Sequence, residues 1–361
     1  MQYQLKPIIK IGSYKDILDT NNNSQNVLVL TTKSINYIHK IDKFFHNKKF
    51  QVISNVLPEL PLTYVKKLYS EIKFVPDLII AIGGGSVLDL GKALSVAKNF
   101  SVLEKLYSKN LIDYEKHAQL FAAPTTFGTG AETSFGSILY NDTIKKKDAL
   151  RSKILQSDMV VIDQNLYSTA SPKIMAESGF DCLTHAIETY LSKATNEIVK
   201  FQSVAAINIV FDHLENAVKH QNKKSITKMA IASMMMGVNL AYSSTCLPHR
   251  IQYVIGPITN TSHAQGLVMI YKGWLKLINK QLKNNNEIKS LLCDLKLTFK
   301  EFENKILLLR TRLGIDYSLN DFNINNQDLD NISNLVSGNL TNDPFFKDID
   351  SIKFILKESM N

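Results

Sequence analysis

The sequence predicts an α/β domain with a parallel sheet at residues 1–168, followed by an all-helical domain at residues 169–361. The first part alternates short apolar, β-prone runs with helical periodicity, the pattern of a parallel sheet covered by helices on both faces. From Ser171-Pro172 onward the periodicity is helical and β-branched runs are nearly absent. A chain of 361 residues with 45% hydrophobic content is long enough for two separate cores.

The elements of the first domain can be placed in order. Five apolar runs predict strands, at residues 26–32, 50–53, 78–82, 120–123 and 159–163. A helical pattern runs through Ile38 to Phe45, and a second helix is predicted from Thr63 to Lys73. A polar hairpin is predicted around Asn141.

Composition limits the classes of function. The formal net charge is +9, but the lysine runs lack interleaved aromatic residues and any nucleic-acid motif. They indicate a solvated basic face that favours anionic ligands and argue against a nucleic-acid groove. No apolar run approaches the roughly 20 residues of a membrane span and no secretion signal is recognisable, so we expect a cytoplasmic protein without a membrane partner. Three widely spaced cysteines argue against a disulfide framework.

A glycine-rich turn joins the strand at residues 78–82 to a helix. Gly83, Gly84 and Gly85 allow backbone amides to approach an anion closely, and a helix N-terminus favours negative charge, so the turn predicts a phosphate site. The spacing fits neither a P-loop nor a GxGxxG fingerprint. A structural alternative, compatible with the first, is that Ser86 caps the helix and Asp89 completes a capping box.

Asp181 and His185 are four residues apart in a helical segment and therefore share one helix face. A carboxylate and an imidazole at this spacing form half of a metal site, although such a pair is more often an ordinary one. Two further histidines, His249 and His263, lie downstream in an apolar helical region and strengthen the metal interpretation.

Several segments in this order resemble the iron-containing (group III) alcohol dehydrogenase family over essentially the whole chain. They are GGGSVLDLGK at 83–92, PTTFGTGAETS at 124–134, GFDCLTHAIETY at 179–190, the two downstream histidines and Asn342-Asp343-Pro344. The resemblance implies a Rossmann-like dinucleotide-binding domain and an all-helical metal-binding domain, the architecture shared with dehydroquinate synthase, with the active site in the cleft between them. It also implies NAD(P)-linked interconversion of an alcohol and an aldehyde or ketone whose oxygen binds a divalent metal, as in an aldehyde reductase, and a homodimer.

The resemblance carries the metal ligands over to Asp181, His185, His249 and His263. The metal is expected to be Fe(II), with Zn(II) as the alternative, since three imidazoles and one carboxylate suit either ion. On one continuous helix His249 and His263 would be about 21 Å apart. The helix must therefore break between them, and we expect Gly256-Pro257 to stop it and Thr261-Ser262 to cap a new helix.

The resemblance also carries the family's cofactor contacts over to residues of the first domain. They are Gly83, Gly84, Gly85 and Ser86 as the phosphate cradle, Asp89 near the nicotinamide, Thr125, Thr126 and Thr129 around the cofactor, and Lys147. After the first predicted strand, Thr32 and Lys33 stand where NAD users often carry an acidic residue. Because no acidic residue is present and Lys33 suits a 2′-phosphate, NADP(H) is favoured over NAD(H).

The chain departs from the family pattern beside the third metal ligand. Many members carry a substrate-facing histidine four residues after that ligand, and Tyr253 occupies this position. Tyr253 either binds substrate, relays a proton or fills space. Arg250 replaces a small residue and either contacts an anionic group of the small-molecule substrate or forms an ion pair, two alternatives that the sequence supports equally.

Two other functions remain open from the sequence. One is a cyclase or lyase of the dehydroquinate synthase type, which uses NAD transiently, although its usual phosphate-binding basic residues are not evident. The other is a non-catalytic nucleotide-binding or assembly protein, which four intact metal ligands argue against.

Overall fold

The computed structural model describes residues 7–18, 23–33, 35, 44–45, 47–109, 114–144 and 146–361. The chain divides into two compact units, Met1–Ser171 and Pro172–Asn361. The first unit ends at Ser171, while the sequence predicts a first domain that ends at residue 168. The backbone amides of Thr169 and Ala170 bond back to Leu166 and Tyr167, so this turn stays with the first unit.

The first unit contains eight described strands. They are β1 Ile8–Ile11, β2 Asn26–Leu30, β3 Lys49–Ile53, β4 Leu78–Gly83, β5 Gln119–Pro124, β6 Gly136–Asn141, β7 Lys146–Arg151 and β8 Met159–Ile162. Six of them form a sheet in the order β1-β8-β5-β4-β2-β3, and every pairing within it is parallel. The parallel α/β prediction is confirmed, and β6 and β7 form the antiparallel hairpin predicted around Asn141.

Strand β1 is absent from the sequence prediction. Its residues Ile8 and Ile11 are 59% and 63% exposed, and the strand pairs along its length with β8 at the edge of the sheet. A four-residue exposed edge strand lacks the long apolar run of a strand buried on both faces, which explains why it was missed. Strand β4, by contrast, is buried at all six positions.

The described helices of the first unit cover the sheet or follow it. They are α1 Lys15–Leu18, α2 Leu62–Glu71, α3 Gly85–Val96, α4 Phe100–Lys109 and α5 Gln164–Tyr167. Helix α2 agrees with the predicted helix within two residues at each end. The predicted helix through Ile38 lies largely outside the described residues, at 36–43.

The second unit is helical throughout, as predicted. Its helices are α6 Pro172–Leu191, α7 Glu197–His220, α8 Lys223–Tyr242, α9 Leu247–Thr259, α10 His263–Gln281, α11 Asn286–Leu295, α12 Phe299–Leu313, α13 Asp328–Leu335 and α14 Ile349–Glu358. Helix α6 is buried from Met175 to Leu191 and forms the centre of the unit.

Among the described helices, none is by itself long and apolar enough to cross a membrane. The pair α8 and α9, bent by 102° at the break between them, meets the length and composition limits when taken together.

Candidate metal and cofactor sites

The glycine turn at residues 83–85 and the threonine loop at residues 124–134 lie side by side because β4 and β5 are paired. Their register places Gly83 opposite Pro124, so both loops leave the carboxyl edge of the sheet together. A Cβ atom on Gly85 would lie 3.0 Å from Thr129 Oγ1, and one on Gly84 would lie 3.4 Å from Thr126 Oγ1. The two threonines therefore line the glycine turn closely, and glycine at residue 85 leaves backbone amides accessible to an anion.

The predicted capping box is wrong. Gly84 is the N-cap of α3, and no side chain of the described residues caps the N-terminal amides of this helix. The Ser86 hydroxyl instead accepts a hydrogen bond from the Glu59 backbone N–H at 3.1 Å. Because Ser86 lies inside the helix and bonds elsewhere, the N-terminal amides of α3 are left without a side-chain acceptor, which suits a phosphate group.

Glu59 is a neighbour of the cradle that sequence reasoning missed. Its carboxylate forms a 2.5 Å ion pair with Lys147, one of the predicted cofactor residues. Glu59 has a φ of 62°, in the left-handed region, and the following residue is also left-handed. No spacing rule links residues 59, 86 and 147, so the sequence contains no signal for this arrangement.

The other predicted cofactor residues lie at the same edge of the first sheet. Thr125 is buried, and its N–H donates to Gly83 O at 3.1 Å. Thr32 and exposed Lys33 follow β2, whose last residue pairs with Ala81 of β4.

Both carboxylate oxygens of Asp89 have hydrogen-bond partners within the first unit. One carboxylate oxygen lies 3.3 Å from Lys92 Nζ, and the other accepts from the Ile138 N–H at 3.1 Å. Lys92 also donates to Ser134 Oγ and Gly136 O, which ties α3 to the start of β6. Asp89 thus anchors the hairpin, a role that the sequence did not indicate.

The four predicted metal ligands come together in the second unit. Asp181 and His185 occupy one face of α6, while His249 and His263 come from α9 and α10. One nitrogen or oxygen atom from each side chain lies within 4.8 Å of the others. Asp181 Oδ1 is 3.6 Å from His249 Nε2 and 3.9 Å from His263 Nε2. The Nε2 atoms of His249 and His185 are 2.9 Å apart, so the nitrogen and oxygen atoms of the four side chains converge on one centre.

The helix between His249 and His263 breaks later than predicted. Helix α9 continues through Pro257, which lacks one N–H donor but has a helix-compatible φ, and ends at Thr259. Asn260 then adopts the left-handed conformation with φ 53°, and its N–H bonds to Gly256 O. The predicted cap is correct, since Ser262 Oγ accepts from Gln265 N–H and α10 begins at His263.

Two buried side chains that the sequence analysis missed orient the histidines. Glu188 Oε1 lies 2.9 Å from His249 Nδ1, while its other oxygen accepts from the Cys246 N–H at 2.7 Å. Gln252 Oε1 lies 2.6 Å from His263 Nδ1. With Nδ1–H donating to each acceptor, both rings present an Nε2 lone pair toward Asp181. Each of the two contacts joins different helices, so spacing along one helix does not reveal it.

The electrostatics of the cluster favour a cation. Burial would lower the pKa of His249, but the carboxylates of Glu188 and Asp181 raise it to about 10. Burial would raise the pKa of Asp181, yet the three histidines hold it well below its usual range. The buried carboxylates of Asp181 and Glu188 thus stabilise positive charge among the histidines. A divalent ion bound by nitrogen and oxygen atoms would supply such a charge. The donor set therefore fits Fe(II) or Zn(II).

The C-terminal segment fixes the helix that carries His249. Asp343, fully buried, accepts from the N–H of Leu247 at the start of α9 and from Trp274 Nε1, both at 2.9 Å. Burial raises the pKa of Asp343 to about 6. The Asn342-Asp343-Pro344 segment therefore acts on the metal site through the position of α9.

Tyr253 and Arg250 lie beside the cluster on α9. The Tyr253 ring stacks on His263 with centroids 5.9 Å apart, and the Arg250 guanidinium lies 5.9 Å from the Tyr253 centroid. Arg250 donates to Ser244 Oγ at 3.0 Å, and its buried Nε has no hydrogen-bond partner among the described residues. The predicted alternative of an ion pair for Arg250 is not found in the described part of the chain.

A buried carboxyl group in the threonine loop makes stability depend on pH. Burial raises the pKa of Glu132 from 4.5 to about 7, against the opposing effect of Lys92. The folded state therefore holds a proton that the unfolded state releases. The resulting stabilisation is complete below pH 4.5 and is lost as the pH rises through 7. We expect the wild type to lose about 2–3 kcal/mol more than Glu132→Gln between pH 5 and pH 8 in urea unfolding.

The control for this comparison is Glu115→Gln, which changes an exposed carboxylate of the same unit. It should follow the wild type at both pH values. Equal losses of stability in the wild type and Glu132→Gln would contradict the prediction.

Two family models match the chain in succession. The model described as iron-containing alcohol dehydrogenase matches residues 8–164, and the C-terminal model of the Fe-containing alcohol dehydrogenase family matches residues 175–360. Together they cover most of both units.

Individual relatives are more distant. The long-chain-alcohol dehydrogenase 1 of Geobacillus thermodenitrificans is 29% identical over 67% of this chain and 63% of that protein. An aldehyde-alcohol dehydrogenase of Streptococcus pneumoniae is 27% identical over 63% of this chain. The match covers 27% of the length of that longer protein.

The fold of a solved enzyme is similar along nearly the whole length. The sulfoacetaldehyde reductase of Bifidobacterium kashiwanohense, crystallised with NAD+, has a TM-score of 0.86 and 21% identity, covering 99% of this chain and 97% of that chain. The two matching family models, read with the four-ligand cluster, lead to one conclusion: the chain belongs to the iron-containing alcohol dehydrogenase family.

Proposed function

We propose that the protein is a metal-dependent, NAD(P)-linked oxidoreductase that interconverts a small alcohol and its aldehyde or ketone, acting as an aldehyde reductase. The observation that carries the proposal is the convergence of one carboxylate and three imidazoles within 4.8 Å. Fe(II) is the proposed metal and Zn(II) the alternative. The reaction needs both units, since the proposed cofactor site belongs to the first and the metal ligands to the second.

The metal would be held by Asp181, His185, His249 and His263. When bound, the metal supplies Lewis acidity that polarises the substrate carbonyl, and the nicotinamide supplies the hydride. Glu188 would hold the tautomer of His249, and burial of Asp181, His185 and His249 would keep water from competing for these three ligands.

The proposed cofactor site uses the glycine turn, the threonine loop and the end of β2. The amides from Gly84 to Ser86 would bind the pyrophosphate, and Thr126 and Thr129 line the same turn. Asp89 and Lys147 are proposed to act at this site as well. In this structure Asp89 forms an ion pair with Lys92, and Lys147 forms one with Glu59. Exposed Lys33 at the end of β2 favours NADP(H), because a cation there would meet a 2′-phosphate.

We propose an anionic substrate as the finer assignment. Arg250 is a part-buried cation without an ion-pair partner in the described chain, and it lies over Tyr253, which stacks on a metal ligand. A carboxylate, phosphonate or sulfonate on the aldehyde would supply the missing acceptor. The solved enzyme of similar fold is named for sulfoacetaldehyde, which is itself an anionic aldehyde.

The direct test is a panel of simple aliphatic, sugar-acid, sulfonated and phosphonated carbonyl compounds, assayed with NADH and NADPH on Fe(II)- and Zn(II)-loaded protein. We expect stoichiometric oxidation of the nicotinamide, faster with NADPH and with the anionic members of the panel. Product formation without net change in nicotinamide absorbance would indicate the cyclase or lyase alternative. A protein that binds neither metal nor nicotinamide would instead be a non-catalytic one.

Replacing Arg250 with methionine tests the anionic assignment separately. We expect kcat/KM for a carboxylated or sulfonated aldehyde to fall about 10- to 150-fold, the effect of losing one charge-assisted hydrogen bond of about 1.5–3 kcal/mol. The value for a neutral aldehyde of the same length should change less than about threefold. Equal losses for both aldehydes would assign Arg250 a structural role and contradict an anionic substrate.

A further inference from the structure

Gln252 is fully buried and uncharged, and its side chain contacts the ring of a proposed metal ligand. It lies on α9, between the helix positions of His249 and Gly256, with its side chain directed at α10. Its Oε1 is 2.6 Å from His263 Nδ1, one of the shortest hydrogen bonds of the site. Its Nε2 has no hydrogen-bond partner among the described residues.

Two glycines from neighbouring helices make room for this side chain. A Cβ on Gly256 would lie 2.7 Å from Gln252 Nε2, and a Cβ on Gly266 would lie 2.9 Å from its Cγ. Both distances are too short for carbon against a side chain enclosed on all sides. Gln252 is therefore held in one position by α9 and α10, even though its buried Nε2 makes no hydrogen bond to the described residues.

The chemistry of the imidazole explains which end of the amide faces His263. With Oε1 toward the ring, Nδ1 carries the proton and Nε2 presents a lone pair to Asp181, 3.9 Å away. With the amide reversed, Nδ1 would have to accept, and the proton would move to Nε2, where a metal ligand cannot carry one.

We infer that Gln252 is the positioning residue of His263, fixing the imidazole tautomer and ring direction that metal binding requires, with Gly256 and Gly266 admitting it. This inference rests on the proposed metal site and goes beyond it. Glu188 does the same for His249 with a carboxylate. Asp181 and Glu188 contact the histidines as carboxylates, and their two negative charges would balance one divalent cation.

The test compares Gln252→Met, which keeps the volume and removes the acceptor, with Gln252→Glu, which keeps an acceptor. The metal Kd is measured by chelator competition with Zn(II), and the visible spectrum of Co(II)-loaded protein reports coordination. We expect Gln252→Met to weaken Zn(II) binding about 10- to 100-fold and to alter the Co(II) bands. Gln252→Glu should bind Zn(II) at least as tightly as the wild type and retain the Co(II) spectrum.

The matched control is Tyr271→Phe, which removes a buried hydroxyl from α10 that has no hydrogen-bond partner in the described chain. It should leave the Kd within about threefold, since it touches no ligand contact. Unfolding of each metal-free variant separates loss of structure from loss of a ligand.

Wild-type affinity in Gln252→Met would overturn the inference while leaving the proposed function intact. If Gln252→Met does not fold, Gln252→Glu decides: Zn(II) binding tenfold weaker than in the wild type overturns the inference, and equal or tighter binding supports it. A wild type that binds no metal would instead remove the proposed function and this inference together.

Discussion

Replacing His263 with alanine is expected to abolish metal retention and nicotinamide-dependent turnover together. His263 is one of the four proposed ligands, and its side chain is the most exposed of them at 22%, so its loss should leave the surrounding helices folded. The metal Kd should rise at least about 100-fold, the upper end of the cost of losing only an orienting partner. Metal content after gel filtration and the rate of NADPH oxidation with an aldehyde measure the two effects.

The control for His263→Ala is His220→Ala, which removes an exposed imidazole at the end of α7. This variant should keep its metal and its rate. Undiminished NADPH oxidation in His263→Ala would remove the assignment of His263 as a metal ligand.

Glu188→Gln is expected to weaken the fold and the metal site at once. Glu188 is fully buried and accepts from both His249 and the Cys246 backbone amide. A glutamine has a single acceptor oxygen for these two donors and lacks the negative charge that stabilises a protonated His249. We expect the metal-free protein to lose about 3–5 kcal/mol in the free energy of unfolding and the metal Kd to rise about 10- to 100-fold.

These effects are measured by urea unfolding of metal-free protein and by chelator competition. Glu197→Gln is the control, because that carboxylate is 91% exposed and both quantities should match the wild type. A Glu188→Gln variant with wild-type stability and wild-type metal affinity would contradict the role given to Glu188.

Periodicity and the family motifs predicted the parts of the site that lie on regular elements. Asp181 and His185 share a helix face by their four-residue spacing, and β4 is buried along its whole length and reads as a continuous apolar run. The glycine turn follows β4 directly, so its place at the edge of the sheet could be predicted as well. These features depend on short-range pattern, which a single sequence carries.

The parts that were missed depend on contacts between distant residues. Ser86 and Asp89 have the residue types of a capping box, but Glu59 and Ile138 provide partners that outweigh local capping. Helix α9 passes Pro257 because Asn260, and not proline, adopts the left-handed conformation that ends it. Gln252 is recognisable as a ligand partner only when α9 and α10 are seen together.

The most direct measurement for the proposed function is a titration of metal-free protein with Fe(II) under anaerobic conditions, following NADPH oxidation with a saturating aldehyde. The four-ligand site predicts negligible activity without metal and a linear rise that ends at one Fe(II) per chain. Full activity in the metal-free protein, or a rise with no defined stoichiometry, would contradict a metal-dependent oxidoreductase.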